Sequence, residues 1–270
     1  MNLDTARFRT PSGAPISLAE WNPQSTEGFR GNQEDAEHEL TGLNRELGAL
    51  QQLLYAEGKR KLLVVLQGMD SSGKDSTIRR VFRAINPLGV RAVNFVRPTE
   101  RELAHDFLWR VHSHAPTAGE IAIWNRSHYE DVLVVRVHEL VPRTVWEARY
   151  DHINAFEKLL ADEGTAIVKF FLHISRDEQK KRLQQRLHDP RKQWKFNHGD
   201  IEERKRWEEY HEAYEAVLSR TSTPQAPWII VPADHKWFRN LVVASVLVKT
   251  LQSFGMRYPR LDEGLHVVKK

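Results

Sequence analysis

No cysteine occurs among the 270 residues, which excludes disulfide scaffolds, thiolate metal sites and thiol nucleophiles and leaves any catalysis to oxygen and nitrogen groups. Long apolar runs are missing too. The longest, near Leu62–Leu66 and Leu241–Val248, fall far short of the ~20 residues that cross a bilayer, so no membrane partner is expected. The opening stretch Met1–Thr10 carries Asp and Arg without an apolar segment, so no secretory signal is read there and a cytoplasmic location is expected. Repeats and low-complexity tracts are absent as well. With 40% hydrophobic and 28% charged residues, the composition is that of a folded protein with a core of ordinary size.

Charge of one sign is in slight excess, 40 Lys+Arg against 36 Asp+Glu for a net +4, which by itself argues for no polyanionic partner. Its distribution says more. Arg79 to Arg97 holds five arginines and no acid, and Lys180 to Lys195 holds seven Lys/Arg against the single acid Asp189. Two such local surpluses point to an anionic ligand.

Apolar runs at Leu62–Leu66, Val90–Phe95, Ile121–Trp124, Ala166–Ile174 and Trp228–Val231 alternate with helical patterns at about 74–85, 100–113, 128–140, 145–162, 176–188, 201–219 and 235–253. Blunt apolar strands alternating with helices predict an α/β domain whose parallel sheet is covered on both faces. Ahead of it, Leu40, Leu43, Leu47, Leu50 and Leu54 draw one apolar seam along a helix of about 33–56. That seam packs on its own domain or contributes to a subunit interface. Capping boxes, in which Ser or Thr and a Glu three residues on satisfy each other's backbone N–H, are expected at Thr99/Glu102, Ser127/Glu130, Thr144/Glu147 and Ser175/Glu178, with Asp200/Glu203 a looser case. The division expected is an arm and helix over 1–58, a main domain over 59–257 with a lid at 176–206, and a tail over 258–270.

The first strand runs directly into Gly68-Met69-Asp70-Ser71-Ser72-Gly73-Lys74-Asp75-Ser76, a Gly-x4-Gly-Lys string. Glycines let consecutive N–H groups point into one concavity, the following helix adds its positive end, and Lys74 supplies a mobile cation; phosphate is the natural occupant. The general motif has Ser or Thr after the Lys to hold Mg²⁺, whereas this chain has Asp75. It also carries an extra carboxylate, Asp70, inside the loop. An acid so near phosphate is repelled unless a metal lies between, so Asp70 reads as a Mg²⁺ ligand, or as a carboxylate bonded to nearby N–H groups. At the carboxyl end of the strand Ile121–Trp124, many phosphate-loop enzymes have an acid; here it is Asn125. Asp131 is the available substitute and Arg126 is placed to reach phosphoryl oxygens, while Glu130 and Asp131 also serve simply as partners of a helix N-terminus. Arg182 and Arg186 share one helix face, followed by Arg191, Lys192 and Lys195. This fits a lid closing over a polyanion, or a solvated helix. Trp207, Tyr210, Tyr214 and Val217 read as core; Trp194 and Phe196 pack or stack on bases.

In these blocks, together with His105-Asp106-Phe107-Leu108-Trp109-Arg110 and Asn125-Arg126-Ser127-x-Tyr129-Glu130-Asp131-Val132, the sequence resembles the second family of polyphosphate kinases, phosphate-loop kinases related to thymidylate kinase, over about residues 30–255. Asp75 and Asn125 are what that family shows. The resemblance implies a three-layer α/β/α phosphate-loop kinase fold with a parallel five-stranded sheet, a helical lid and an N-terminal helical arm. It implies Mg²⁺-dependent, reversible phosphoryl transfer between inorganic polyphosphate and nucleoside mono- or diphosphates such as AMP/ADP or GMP/GDP, by a homo-oligomer, dimer or tetramer. Lys74 and the loop residues Gly68, Met69, Ser71, Ser72, Gly73, Asp75 and Ser76 are then expected on the transferring phosphate, and Asp70 and Asp131 on Mg²⁺. Arg126, Arg182 and Arg186 are expected on equatorial oxygens and polyphosphate, with Lys181, Arg191, Lys192 and Lys195 along the lid, and Arg97, Asp106 and Arg110 at the nucleotide. Two rivals stand beside this reading: an ATP-dependent nucleotide kinase of the same fold, and a basic nucleic-acid-binding module.

Overall fold

The computed structural model describes residues 3–195 and 199–259, so Phe196 and nearly all of the expected tail lie outside the described residues, as does the side chain of Lys195. Five strands, β1 (Lys61–Gln67), β2 (Val90–Asn94), β3 (Ile121–Asn125), β4 (Thr165–His173) and β5 (Trp228–Pro232), form one all-parallel sheet in the order β2-β3-β1-β4-β5. The three central strands are buried along almost their whole length, as strands covered on both faces must be, whereas the edge strand β2 is half exposed. Leu66 of β1 lies opposite Asn125 of β3. The chain leaves β1 toward β2 on one side and leaves β3 toward β4 on the other. The crevice between their carboxyl ends is therefore the topological switch point where such sheets take ligands.

Helix α1 (Gln33–Glu57) begins at a capping box, Asn32 with Asp35, and stops at Gly58 in the left-handed region. Leu40, Leu47 and Leu54 of the apolar seam are fully buried within this chain, with Leu43 and Leu50 packed beside them; the seam serves its own domain. The N-terminal segment is also part of the core: Leu3, Phe8, Ile16 and Leu18 are buried and Arg9 bridges antiparallel to Ile229.

Helix α2 (Lys74–Val81) follows β1 and ends one turn earlier than the periodicity predicts. The single helix expected over 100–113 is two single turns, α3 (Glu100–Leu103) and α4 (Trp109–His112), because the Asp106 carboxylate accepts from the N–H groups of Leu108 and Trp109 and restarts the chain there. Thr99/Glu102 is a complete capping box. After β3 the expected helix 128–140 is a 3₁₀ turn, His128–Asp131, and then α5 (Val134–Val137). There Ser127 accepts from Tyr129 N–H, and the reciprocal bond from Glu130 does not form. Helix α6 (Arg143–Asp162) starts after Pro142, so Thr144 lies inside its first turn and does not cap it. In α7 (Arg176–His188) Ser175 caps Glu178 N–H, but the Glu178 side chain turns to Arg182. The helix predicted over 201–219 is broken at Arg206 into α8 (Gly199–Lys205) and α9 (Trp207–Thr221), with Asp200 inside α8 and not at its cap. Helix α10 (Lys236–Ser253) closes the fold against α1 and α2.

Candidate active site

The loop after β1 is shaped by backbone geometry that its residues permit. Gly68 and Gly73 have φ of 150° and 106°, and Ser71 sits at 65°. A Cβ on Gly68 would stand 2.7 Å from the Leu172 carbonyl of β4, so only glycine lets the loop rise beside that strand. The Lys74 ammonium folds back under the loop to the carbonyls of Gly68 (2.6 Å) and Met69 (3.4 Å). Burial, helped by the neighbouring Arg126, lowers its pKa to about 8 against the pull of Asp70, Glu130 and Asp75.

Across the crevice Arg126, at φ 62°, is held in the left-handed region, a strain of about 1–3 kcal/mol for a non-glycine residue. Its amide donates to the Leu66 carbonyl (3.1 Å) and its guanidinium to Asp70 Oδ1 (3.0 Å). Strain is tolerated here because this backbone aims Arg126 across the ends of β1 and β3. The two departures from the general motif meet each other: Asn125 Nδ2 donates to Asp75 Oδ1 at 2.9 Å. Neutral Asn125 thus leaves Asp75 a hydrogen-bond donor where a second acid would repel it.

Two cavities open on this loop. The larger, about 830 Å³, is lined by Lys74, Arg79, Arg126, Arg182, Arg186, Arg191, Lys192, Lys236 and Arg239, outnumbering the carboxylates Asp70, Asp75, Asp189 and Asp200. The smaller, about 270 Å³, is lined by Gly68, Met69, Asp70, Arg126 and Glu130, and by Asp200, Glu203, Tyr210 and Tyr214 from α8 and α9. Asp70, Arg126 and Asp200 belong to both, so they form the wall between them. Tyr210 and Tyr214, read as core from their spacing, are buried but present an edge to the smaller cavity.

The structure relocates several expected residues. Asp131 does not face either cavity: its carboxylate pairs with Arg149 of α6 at 2.9 Å, and burial raises its pKa to about 6 despite that partner. The 3₁₀ turn explains this, since its tighter winding sends Glu130 toward the smaller cavity and Asp131 toward α6. Burial pushes the Glu130 carboxyl above its ordinary range, against Arg126 and Lys74. Arg182 is buried and all five of its N–H groups are engaged. Nε donates to Glu178, Nη1 to the carbonyls of Ser71 and Ser72, and Nη2 to those of Ala233 and Asp234. Although it borders the large cavity, it braces the phosphate loop and has no donor left for a phosphate. Gln179, one turn earlier, adds a bond to the Asp70 carbonyl at 3.0 Å. The first half of α7 is therefore bolted to the loop. Lys181 pairs with Glu178 away from the large cavity. Arg186 does face the cavity, bonded to Asp200 of α8 at 3.2 Å. Arg191 and Lys192 line it beside Asp189, whose pKa their hydrogen bonds depress to about 2. Trp194 is 77% exposed and lines the same space. Of the expected nucleotide residues, Asp106 accepts from the Leu108 and Trp109 N–H groups ahead of α4, and Arg110 pairs with Glu102 (3.2 Å) and the Val96 carbonyl (2.9 Å). Arg97 is exposed after β2.

Residues missed from the sequence are Gln179, Glu203, Lys236 and Arg239. Only Arg239 leaves a signal, an arginine heading the apolar stretch of α10.

Comparison with known proteins agrees with this architecture. The family profile described as polyphosphate kinase 2 matches residues 30–258. The chain is 55% identical over 254 residues to the AMP/ADP-polyphosphate phosphotransferase of Meiothermus ruber, covering 94% of this chain and 95% of that protein. It is 42% identical over 271 residues to the ADP-polyphosphate phosphotransferase of Rhodopseudomonas palustris, covering 96% and 93%. The crystal structure of polyphosphate kinase 2 from Arthrobacter aurescens TC1 superposes with a TM-score of 0.92 at 42% identity, covering 96% of this chain and 92% of that one. With the match extending over most of its length, the chain belongs to the polyphosphate kinase 2 family.

Proposed function

We infer that this enzyme transfers a phosphoryl group between inorganic polyphosphate and nucleoside mono- and diphosphates, in both directions. The observation that carries this reading is the large cavity: its cationic wall begins at the glycine loop and continues through Arg186, Arg191 and Lys192. A chain with about one charge per phosphate suits a wall with that many cations. Phosphoryl transfer asks for positioning and charge neutralisation more than for covalent chemistry. The loop amides and Lys74 hold the transferring phosphate, Arg126 reaches from the opposite wall to its equatorial oxygens, and Arg186 with Arg191 and Lys192 grips the polyphosphate. The relative named for both AMP and ADP supports a broad acceptor range.

Magnesium is the cofactor of this reading, and the donors suit it. Asp70 faces both cavities and Glu130 the smaller. Among the described residues no cluster of three or more His, Cys, Asp or Glu makes an all-protein cage. An ion that takes one or two carboxylates and completes its shell with phosphate oxygens and water fits that sparse set. Bound there, it would neutralise charge on the reacting phosphates. Asp131 would act through Arg149, holding the turn that presents Glu130. No described helix is long and apolar enough to cross a membrane.

With Mg²⁺ and polyphosphate, AMP and ADP are expected to be phosphorylated, and ATP as the only donor to give no product with AMP. Efficient ATP-driven transfer without polyphosphate use would instead make this an ordinary nucleotide kinase. Arg186→Ala is expected to raise the polyphosphate KM about tenfold and flatten its salt dependence with little change in kcat, as loss of a polyanion contact should. Unchanged KM and salt response would remove the lid arginine from substrate binding.

A further inference from the structure

Helix α10 delivers a second guanidinium to the phosphate loop. Arg239 is 1% exposed, and its Nη1 donates to the Ser72 carbonyl at 2.9 Å while Nη2 donates to Ser76 Oγ at 3.0 Å. The same Ser72 carbonyl accepts from Arg182 at 3.0 Å, so two buried cations converge on one oxygen. Their compensation is unequal. Arg182 has the carboxylate of Glu178, whereas the other partner of Arg239 is the neutral amide of Asn240, and no carboxylate among the described residues hydrogen-bonds or pairs with it. Burial, and then Arg182, lower the Arg239 pKa to about 9, the direction an uncompensated cation takes.

Gly73 shows how closely this charge is fitted. A Cβ there would lie 1.9 Å from Arg239 Nη1, so the glycine at this point of the loop makes room for the guanidinium as well as for the turn. Arg239 also borders the large cavity beside Lys74 and Asp75. A buried cation without a counter-charge is costly unless something anionic arrives.

We propose that Arg239 is a positioning residue of the phosphoryl-transfer site, which fixes the Ser72–Ser76 segment of the loop and keeps under it a positive charge whose counter-ion is the bound phosphate chain. The proposal rests on the functional reading above and adds a residue to it. Its cost to the empty protein and its benefit to the loaded one distinguish it from a core arginine, which would stabilise both alike.

The test is binding of inorganic tripolyphosphate, without nucleotide, to the full-length protein, followed by calorimetry over a range of salt and by the rise in Tm that the anion produces. Arg239→Met is expected to raise the Kd about tenfold, to lower the slope of log affinity against log salt by about one, and to halve the anion-induced rise in Tm. Arg239→Lys keeps the charge but not the fork and should retain the wild-type slope while losing kcat. Arg239→Gln, polar and neutral, should reproduce the weakened binding and supplies the reading where the Met variant does not fold. Neutral variants that fold and bind tripolyphosphate with wild-type affinity and slope would overturn the proposal, even if their Tm is lower. So would a Lys variant as salt-insensitive as Met. Failure of the wild-type protein to bind tripolyphosphate would overturn the functional reading itself, and this inference with it.

Discussion

Replacing Lys74 by Met is expected to lower kcat for polyphosphate-dependent nucleotide phosphorylation on the order of 10²–10³-fold, about 2.7–4 kcal/mol of barrier, while circular dichroism and Tm show an intact fold. The ammonium is buried within the loop and bonded to the Gly68 and Met69 carbonyls, in surroundings where one charge acts strongly on developing negative charge. Since burial is the main reason its pKa is lowered to about 8, the pH dependence has a definite sign. In the free enzyme the cation is present below pH 8 and lost above it, so kcat/KM should fall as pH rises through about 8. Bound phosphate favours the cation, so kcat itself should hold to higher pH. For stability the lowered value has the opposite consequence: the cost of burying the charge is present below the folded pKa and fades as pH rises from there toward the unfolded value of 10.5. Lys74→Met should therefore be no less stable than wild type at neutral pH, and its relative advantage should shrink in alkali. A variant retaining half of wild-type turnover would exclude Lys74 from the transfer step.

Replacing Lys169 by Met is expected to destabilise the protein by about 3–5 kcal/mol, the penalty of leaving Glu157 buried without its partner. Lys169 lies in the middle of β4, fully buried, with its three N–H groups on Glu157 (2.6 Å), Tyr129 Oη (2.9 Å) and the Thr221 carbonyl (2.7 Å). Tyr129 donates in turn to Glu157 at 2.6 Å. Burial acts to raise the Glu157 carboxyl, but Lys169 and His128 outweigh it and hold it below its ordinary range. The stabilisation from that group is thus present above its unfolded value of 4.5 and is lost as pH falls through the lower folded value. Pairing Lys169→Met with Glu157→Leu should recover the larger part of the loss in urea unfolding, since the uncompensated charge is then gone. Equal destabilisation by the single and double replacements would show that packing around Trp228, not the ion pair, sets the cost. Because Tyr129 belongs to the turn that carries Glu130, the single variant should also lose kcat at temperatures where it remains folded.

Much of this protein is legible in its sequence because local rules dominate there. All five strands, the loop from Gly68 to Lys74 and the helices over 33–57, 176–188 and 236–253 follow from apolar runs and periodicity. Those signals are read within a few residues, and the parallel sheet follows from their alternation. The family resemblance likewise rests on short ordered blocks. What failed was the direction of individual side chains. A glutamate and an aspartate adjacent in sequence, Glu130 and Asp131, were separated by a 3₁₀ turn, one to the cavity and the other to Arg149. Arg182 and Arg186, four apart on one helix, were divided because α7 lies against the loop, where its first turns are buried and its last are not.

The helix break at Asp106 was equally hidden, since a side chain competing for backbone N–H groups interrupts a pattern that periodicity alone continues, and so was the break at Arg206, where no side chain caps the new helix and the arginine instead donates to the Val137 carbonyl. Arg239, 165 or so positions beyond the loop by chain but bonded to it at Ser72 and Ser76, belongs to the site only because α10 packs across α2. Sequence by itself determined which elements form and which chemistry gathers at the end of β1, since hydrogen bonding and apolar periodicity act over a few residues. Tertiary structure decided which charges face the substrate and which brace the loop, because that depends on what lies opposite each side chain, and the chain places those partners tens to hundreds of residues apart.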